Sequence, residues 1–152
     1  MVSRSLVVVA RIYIGVIFLV AAYGKLSQRV DFVGPMTGLL NNVTLTHGYG
    51  FYASFVRSVV LPNAHLFAVL VIAAEVSVAI GMLFGLATRA AAVVAIFLLA
   101  NYLSAKGIPP WSPGSNDVAD IVLSVIVLFG AGGRTFGIDS ALHARFPKVP
   151  FW

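Results

Sequence analysis

The stretch 64-AHLFAVLVIAAEVSVAIGMLFGL-86 decides the fold class of this chain. Coiled as a helix at 1.5 Å per residue, a run of this length reaches across a hydrocarbon core of roughly 30 Å. It carries one acidic residue, Glu75, near its middle. A carboxylate at that depth costs about 3 kcal/mol on insertion scales, so it is expected to face protein and to have a partner. Glu75 is therefore a candidate site residue as well as the marker of a buried helix face.

Composition agrees with a membrane reading. Of 152 residues, 60% are hydrophobic and 10% are charged, against roughly 25% charged in a soluble domain. The net charge of +5 comes from basic residues scattered singly between apolar runs. That distribution suits anchors at membrane flanks and argues against nucleic acid as a partner. Cysteine is absent, which excludes dithiol, thiolate and iron–sulfur chemistry. His47, His65 and His143 are too dispersed for a metal or haem site, and no flavin motif is evident.

Working outward from 64–86, three further apolar segments appear, at about 6–23, 90–103 and 118–131. Pro62 and Asn63 read as a start signal for the 64–86 helix, and Ser115, Asn116 and Asp117 as caps for the last one. The 90–103 segment is short and is expected to borrow its polar flanks. The expected fold is all-α: an integral membrane antiparallel four-helix bundle forming a single domain over 1–152. An N-terminal signal peptide is the competing reading of 6–23; Arg11 interrupts its apolar core, and Tyr23, Gly24 and Lys25 make a poor cleavage site.

The stretch 24–61 is too polar to span. Glycines, a proline and asparagines punctuate it, and then Phe51, Tyr52, Phe55, Val56, Val59 and Val60 recur at helical spacing around Arg57. An amphipathic helix is expected there, lying in the interface or over the bundle as a lid. Arg4, Arg89, Arg134, Arg145 and Lys148 fall on one side of a four-span topology, and Lys25, Arg29, Arg57 and Lys106 on the other. This bias favours both termini inside, with the long first loop and the Pro109–Pro110–Trp111 loop extracytoplasmic.

Depth arithmetic then proposes a partner for Glu75. Arg11 lies about 12 Å into the first helix, and Glu75 about 16 Å into an antiparallel second one. In a core roughly 30 Å thick the two heights nearly match, so an Arg11–Glu75 ion pair is expected. Arg11, Gly15, Phe18, Ala22 and Lys25 share a stripe that should face the interior. Ala73, Ser77, Gly81 and Gly85 read as a small-residue packing ridge on the second helix. A further polar cluster is expected where Lys25, Asn101, Tyr102, Trp111, Asp117 and Asp120 reach one level. An ammonium, an amide, carboxylates and aromatics beneath a loop suit a quinone head group or a small anion.

The chain also resembles the DoxX superfamily of small four-helix membrane proteins, and most closely its DoxD branch. The resemblance rests on 61-LPNAHLF-67, Ala74–Glu75, 81-GMLFGLATR-89, 101-NYL-103 and 130-GAGGRTFGID-139, together with the Arg11-to-Lys25 stripe. An extra glycine in the last element and a long first loop depart from the pattern. The resemblance implies a cytoplasmic-membrane subunit of a thiosulfate:quinone oxidoreductase. It would pass electrons from thiosulfate, or another small donor, to quinone beside other membrane or extracytoplasmic subunits. Glu75 and Asp120 would then handle protons, Arg11 would orient Glu75, and Lys25, Asn101, Tyr102, Trp111 and Asp117 would bind substrate or quinone. The alternative is a non-enzymatic accessory subunit of a larger respiratory or photosynthetic membrane complex. A transporter is disfavoured by the lack of an inverted repeat.

Overall fold

A computed structural model describes residues 4–27, 32–109, 111–112, 115–130 and 132–146. Arg29, Pro110, Ala131 and Lys148 lie outside them. The described residues are helical apart from turns and short connections: α1 (Arg4–Leu26), α2 (Val33–Leu39), α3 (Leu45–His47), α4 (Gly50–Phe55), α5 (Ala64–Phe84), α6 (Thr88–Lys106), α7 (Asp117–Gly130), α8 (Gly132–Thr135) and α9 (Ile138–Arg145). α1 packs on α5 and α7, and α6 packs on the same two helices. The core between them holds Ile14, Phe18, Val78, Met82, Leu98 and Val127, with Ala91, Ala92 and Ala95 lining α6. Small side chains let backbones approach closely, which is how helices associate when lipid removes the hydrophobic drive between them.

Among the described residues, three helical stretches are long and apolar enough to cross a membrane: Arg4–Leu26, Gly50–Phe84 and Thr88–Lys106. Large apolar side chains lie on their outer faces, including Val9 and Val20 on α1, Leu66 and Val69 on α5, and Phe97 on α6. An exposed apolar surface of this extent is what a lipid-facing helix presents. α7 has only 14 residues, a length of roughly 21 Å, and falls short of a span on its own. α6 does take in its polar flanks, from Thr88 to Lys106.

Pro62 and Asn63 do not start the second span. Helix begins at Gly50 and continues through a π turn (Val56–Val60) and a 3-10 turn (Leu61–Asn63) into α5. Proline cannot donate to the carbonyl four residues back, and the chain adapts by tightening there. The Leu61 N–H reaches back to Val56 O, and the Asn63 side chain donates to Val59 O at 2.9 Å. A second π turn, Leu40–Thr44, follows α2. The expected amphipathic segment thus becomes an extension of a spanning helix. It closes with α2 over a second small core of Met36, Leu40, Val56, Val60 and Ala68.

The interior stripe of α1 is found: Arg11, Gly15, Phe18 and Ala22 are all buried. The ridge on α5 is only half found. Gly81 and Gly85 are buried, but Ala73 and Ser77 face outward. Four-residue steps advance about 40° beyond a full turn, so the ends of a twelve-residue ridge sit about 120° apart and cannot share a face.

Candidate functional site

The register of α1 against α5 fixes everything that follows. A Cβ at Gly15 would meet Leu83, and one at Gly85 would meet the Arg11 guanidinium. At the other end Lys25 meets Glu75. The two helices run antiparallel with Arg11 level with the end of α5, not with its middle. Residues 64–72 of α5 therefore extend beyond α1 and pack on α2 instead. The expected Arg11–Glu75 pair is overturned by this offset, because a depth counted from Ala64 misses the helical turns that precede it. Arg11 lies about 21 Å from Lys25 along α1.

Glu75 is fully buried and has two partners among the described residues. Lys25 Nζ lies 2.6 Å from Oε1 and 2.8 Å from Oε2, and the Tyr102 hydroxyl donates to Oε1 at 2.6 Å. The side chain of Lys25 keeps 18% of its exposure. Its ammonium sits 5.3 Å from the centre of the Phe32 ring and 6.0 Å from that of Tyr102. A buried carboxylate is tolerated because it is charge-paired and hydrogen-bonded at once.

Lys25 and Tyr102 of this triad line a cavity of about 850 Å³, whereas Glu75 is buried and is not among the wall residues. Both π turns contribute to its wall, through Leu40, Val43 and Val60, while Phe67, Leu70 and Ala74 of α5 face Val94, Phe97 and Leu98 of α6. Polar groups reach the wall at Lys25, Tyr52, Asn101, Tyr102 and Lys106. The Tyr52 hydroxyl donates to Asn101 Oδ1 at 3.2 Å, and Asn101 Nδ2 donates to Phe97 O at 2.7 Å. The rim includes the outward-facing Leu39, Leu70 and Phe97. An apolar chamber with a few convergent polar groups has the form of a small-molecule site.

The expected polar cluster does not hold together. Lys25, Asn101 and Tyr102 come together at the cavity. Asp117 instead accepts from Lys106 at 2.7 Å and from Ser115 at 2.9 Å, a pair that ties the ends of α6 and α7. Asp120 lies one turn further along α7, almost wholly buried, and its Oδ1 has no hydrogen-bond partner among the described residues. Trp111 is 83% exposed and forms no part of the chamber wall. Among the described residues, none of the loop carrying it lines the cavity, and residues between 33 and 60 cover it instead. No group of three or more potential metal ligands occurs among the described residues.

Two functional placements were not read from the sequence. Tyr52 was legible only as one aromatic of an amphipathic pattern, yet it lines the chamber. Asp139, from α9, clasps the α5–α6 turn at the opposite end. Its carboxylate accepts from Ala87 N at 2.6 Å and from Thr88 N at 2.8 Å, and its own N–H donates to Gly85 O at 2.8 Å. Ala87, at φ 47°, has no side chain that could cap α6, so Asp139 does so from another helix. The Asp139 charge also acts on buried Arg11. Arg11 thus belongs to a structural clasp and not to the Glu75 site.

No curated protein and no solved structure matches this chain. The family model described as DoxX matches residues 6–107, which include Lys25, Glu75, Tyr102 and every described residue of the cavity wall. The chain belongs to the DoxX family.

Proposed function

We propose that this protein is the quinone-binding membrane subunit of an oxidoreductase that takes electrons from thiosulfate or a similar small donor, in the manner of the DoxD branch it resembles. The single observation that carries the reading is the apolar chamber of about 850 Å³ whose wall holds Lys25 and Tyr102, both bonded to buried Glu75. Its volume falls within the range of small-molecule pockets. The apolar rim suits entry from the lipid phase. A quinone supplies two-electron, two-proton acceptor chemistry when bound.

The chain's own part is binding, orientation and proton holding. Lys25 presents an N–H to an oxygen of the head group, and Glu75 holds that ammonium in place. Glu75 and Tyr102 offer proton-holding sites at Oε1 and Oη next to the head. Asp120, with an unsatisfied oxygen, stands near the Lys106–Asp117 pair as a second acid. In this reading α7 completes a four-helix transmembrane domain, both termini are cytoplasmic, and the membrane is the plasma membrane of a prokaryote. The electron donor is handled with a partner subunit.

The test is to purify the chain with and without its membrane neighbours and extract it for quinone. Copurifying quinone that thiosulfate reduces supports the reading; a quinone-free chain with no binding of added quinone sinks it. A second reading is an accessory subunit. It is favoured by the full satisfaction of Glu75 inside the helix core, which is what a polar lock between α1, α5 and α6 requires. Stability that depends on other subunits, without quinone binding, would select it.

A further inference from the structure

The hydrogen-bond inventory at the closed end of the chamber is lopsided. An ammonium has three N–H donors, and a phenol one donor with acceptor capacity on the same oxygen. Lys25 grips the two oxygens of Glu75 together and keeps at least one N–H for the chamber. The Tyr102 proton is committed to Glu75 Oε1, and the Tyr52 proton to Asn101 Oδ1. One of the two Asn101 Nδ2 protons goes to Phe97 O, and Lys106 gives one of its three N–H groups to Asp117, so both keep donors elsewhere on the wall. At the Lys25 end the chamber has an ammonium donor beside a phenol oxygen, that of Tyr102, that can only accept, and Tyr52 supplies a second such oxygen. Lys25 Nζ and Tyr102 Oη each lie 2.6 Å from the same Oε1, so they are no farther apart than twice that distance.

From this we infer that the site selects the reduced, ring-hydroxyl form of its lipophilic ligand, a hydroquinone, over the oxidised dione. The inference rests on the quinone-binding function proposed above. A ring hydroxyl placed beside Lys25 accepts from the ammonium and donates to Tyr102 Oη through one oxygen. A ring carbonyl only accepts, so it satisfies Lys25 and faces the Tyr102 lone pairs with nothing to give. Turning the Tyr102 proton toward the carbonyl would take a partner from a fully buried carboxylate, and unmet buried groups are the expensive ones. The preference has a redox consequence through linkage. Tighter binding of the reduced form raises the potential of the bound couple, by about 30 mV per tenfold difference in affinity for two electrons. The bound quinone becomes easier to reduce and its product slower to leave.

The test uses the full chain in lipid nanodiscs, titrated under argon with decyl-benzoquinone and separately with its hydroquinone. The expected result is at least tenfold tighter binding of the hydroquinone. Tyr102→Phe should bring the two affinities together by weakening the hydroquinone alone. Should that variant fail to fold, the wild-type ratio and the potential of the bound couple still decide. Equal or tighter binding of the oxidised form overturns the inference and leaves quinone binding standing. Binding of neither form overturns both.

Discussion

Lys25 and Glu75, fifty residues apart in sequence, form a bidentate ion pair at 2.6 and 2.8 Å, with the carboxylate fully buried and the ammonium facing the chamber. The pair joins the last turn of α1 to the middle of α5, and through Tyr102 it also holds α6. One contact therefore fixes three helices and shapes the polar end of the cavity.

Removing one partner should cost far more than removing both. Lys25→Met leaves a buried carboxylate with Tyr102 alone, and a destabilisation on the order of 3–5 kcal/mol is expected. Lys25→Met with Glu75→Gln should recover most of that loss. A double-mutant cycle on detergent-solubilised protein, read by thermal or denaturant unfolding, measures the coupling. Additive single losses would refute the pairing.

The Lys106–Asp117 pair has similar geometry at 2.7 Å, but the lysine side chain is 43% exposed. Water and salt screen such a pair, so Lys106→Met should cost about 1 kcal/mol or less and lose its effect at high ionic strength. A loss as large as that of Lys25→Met would show that burial is not what separates the two pairs.

At the opposite end, Asp139→Ala strips acceptors from Ala87 N and Thr88 N and removes a negative charge beside Arg11. Loss of the cap alone is worth about 1–2 kcal/mol. Asp139→Asn, which keeps one carbonyl acceptor, should retain part of it. Melting curves that rank the alanine variant no lower than the asparagine one would contradict the capping role. Ligand affinity should change little in either, because the clasp is about 21 Å from Lys25.

Gly85 ends α5 at φ 64°, and Leu86 N–H returns to Gly81 O at 2.9 Å, closing the helix by a Schellman bond. A Cβ at Gly85 adds left-handed strain of about 1–2 kcal/mol and also meets the Arg11 guanidinium and Gly137 Cα. Gly85→Ala should therefore lose more than the strain alone, seen as reduced folded yield in membranes. Wild-type yield and melting would show that Arg11 can move aside.

Filling the chamber separates binding from folding. Ala74 and Val94 both line it, on α5 and α6. Ala74→Phe should lower quinone affinity at least tenfold while leaving the melting temperature within a few degrees. Unchanged affinity would place the ligand elsewhere.

The sequence by itself determined the helical class, the membrane setting, the buried stripe of α1 and the fact that Glu75 must be partnered. Those follow from local quantities: run length, the 100° helical period, and the cost of a charge in hydrocarbon. It also pointed to Lys25, Asn101 and Tyr102 as neighbours, because all three fall at one end of their helices. Only the tertiary structure decided which cation reaches Glu75. That choice turns on the offset of α1 along α5, set where Gly15 admits Leu83, where Gly85 admits Arg11, and where helical turns upstream of Pro62 lead into α5. A shift of a few residues exchanges one cation for another about 21 Å away, and no periodicity within a single helix records its displacement against a neighbour.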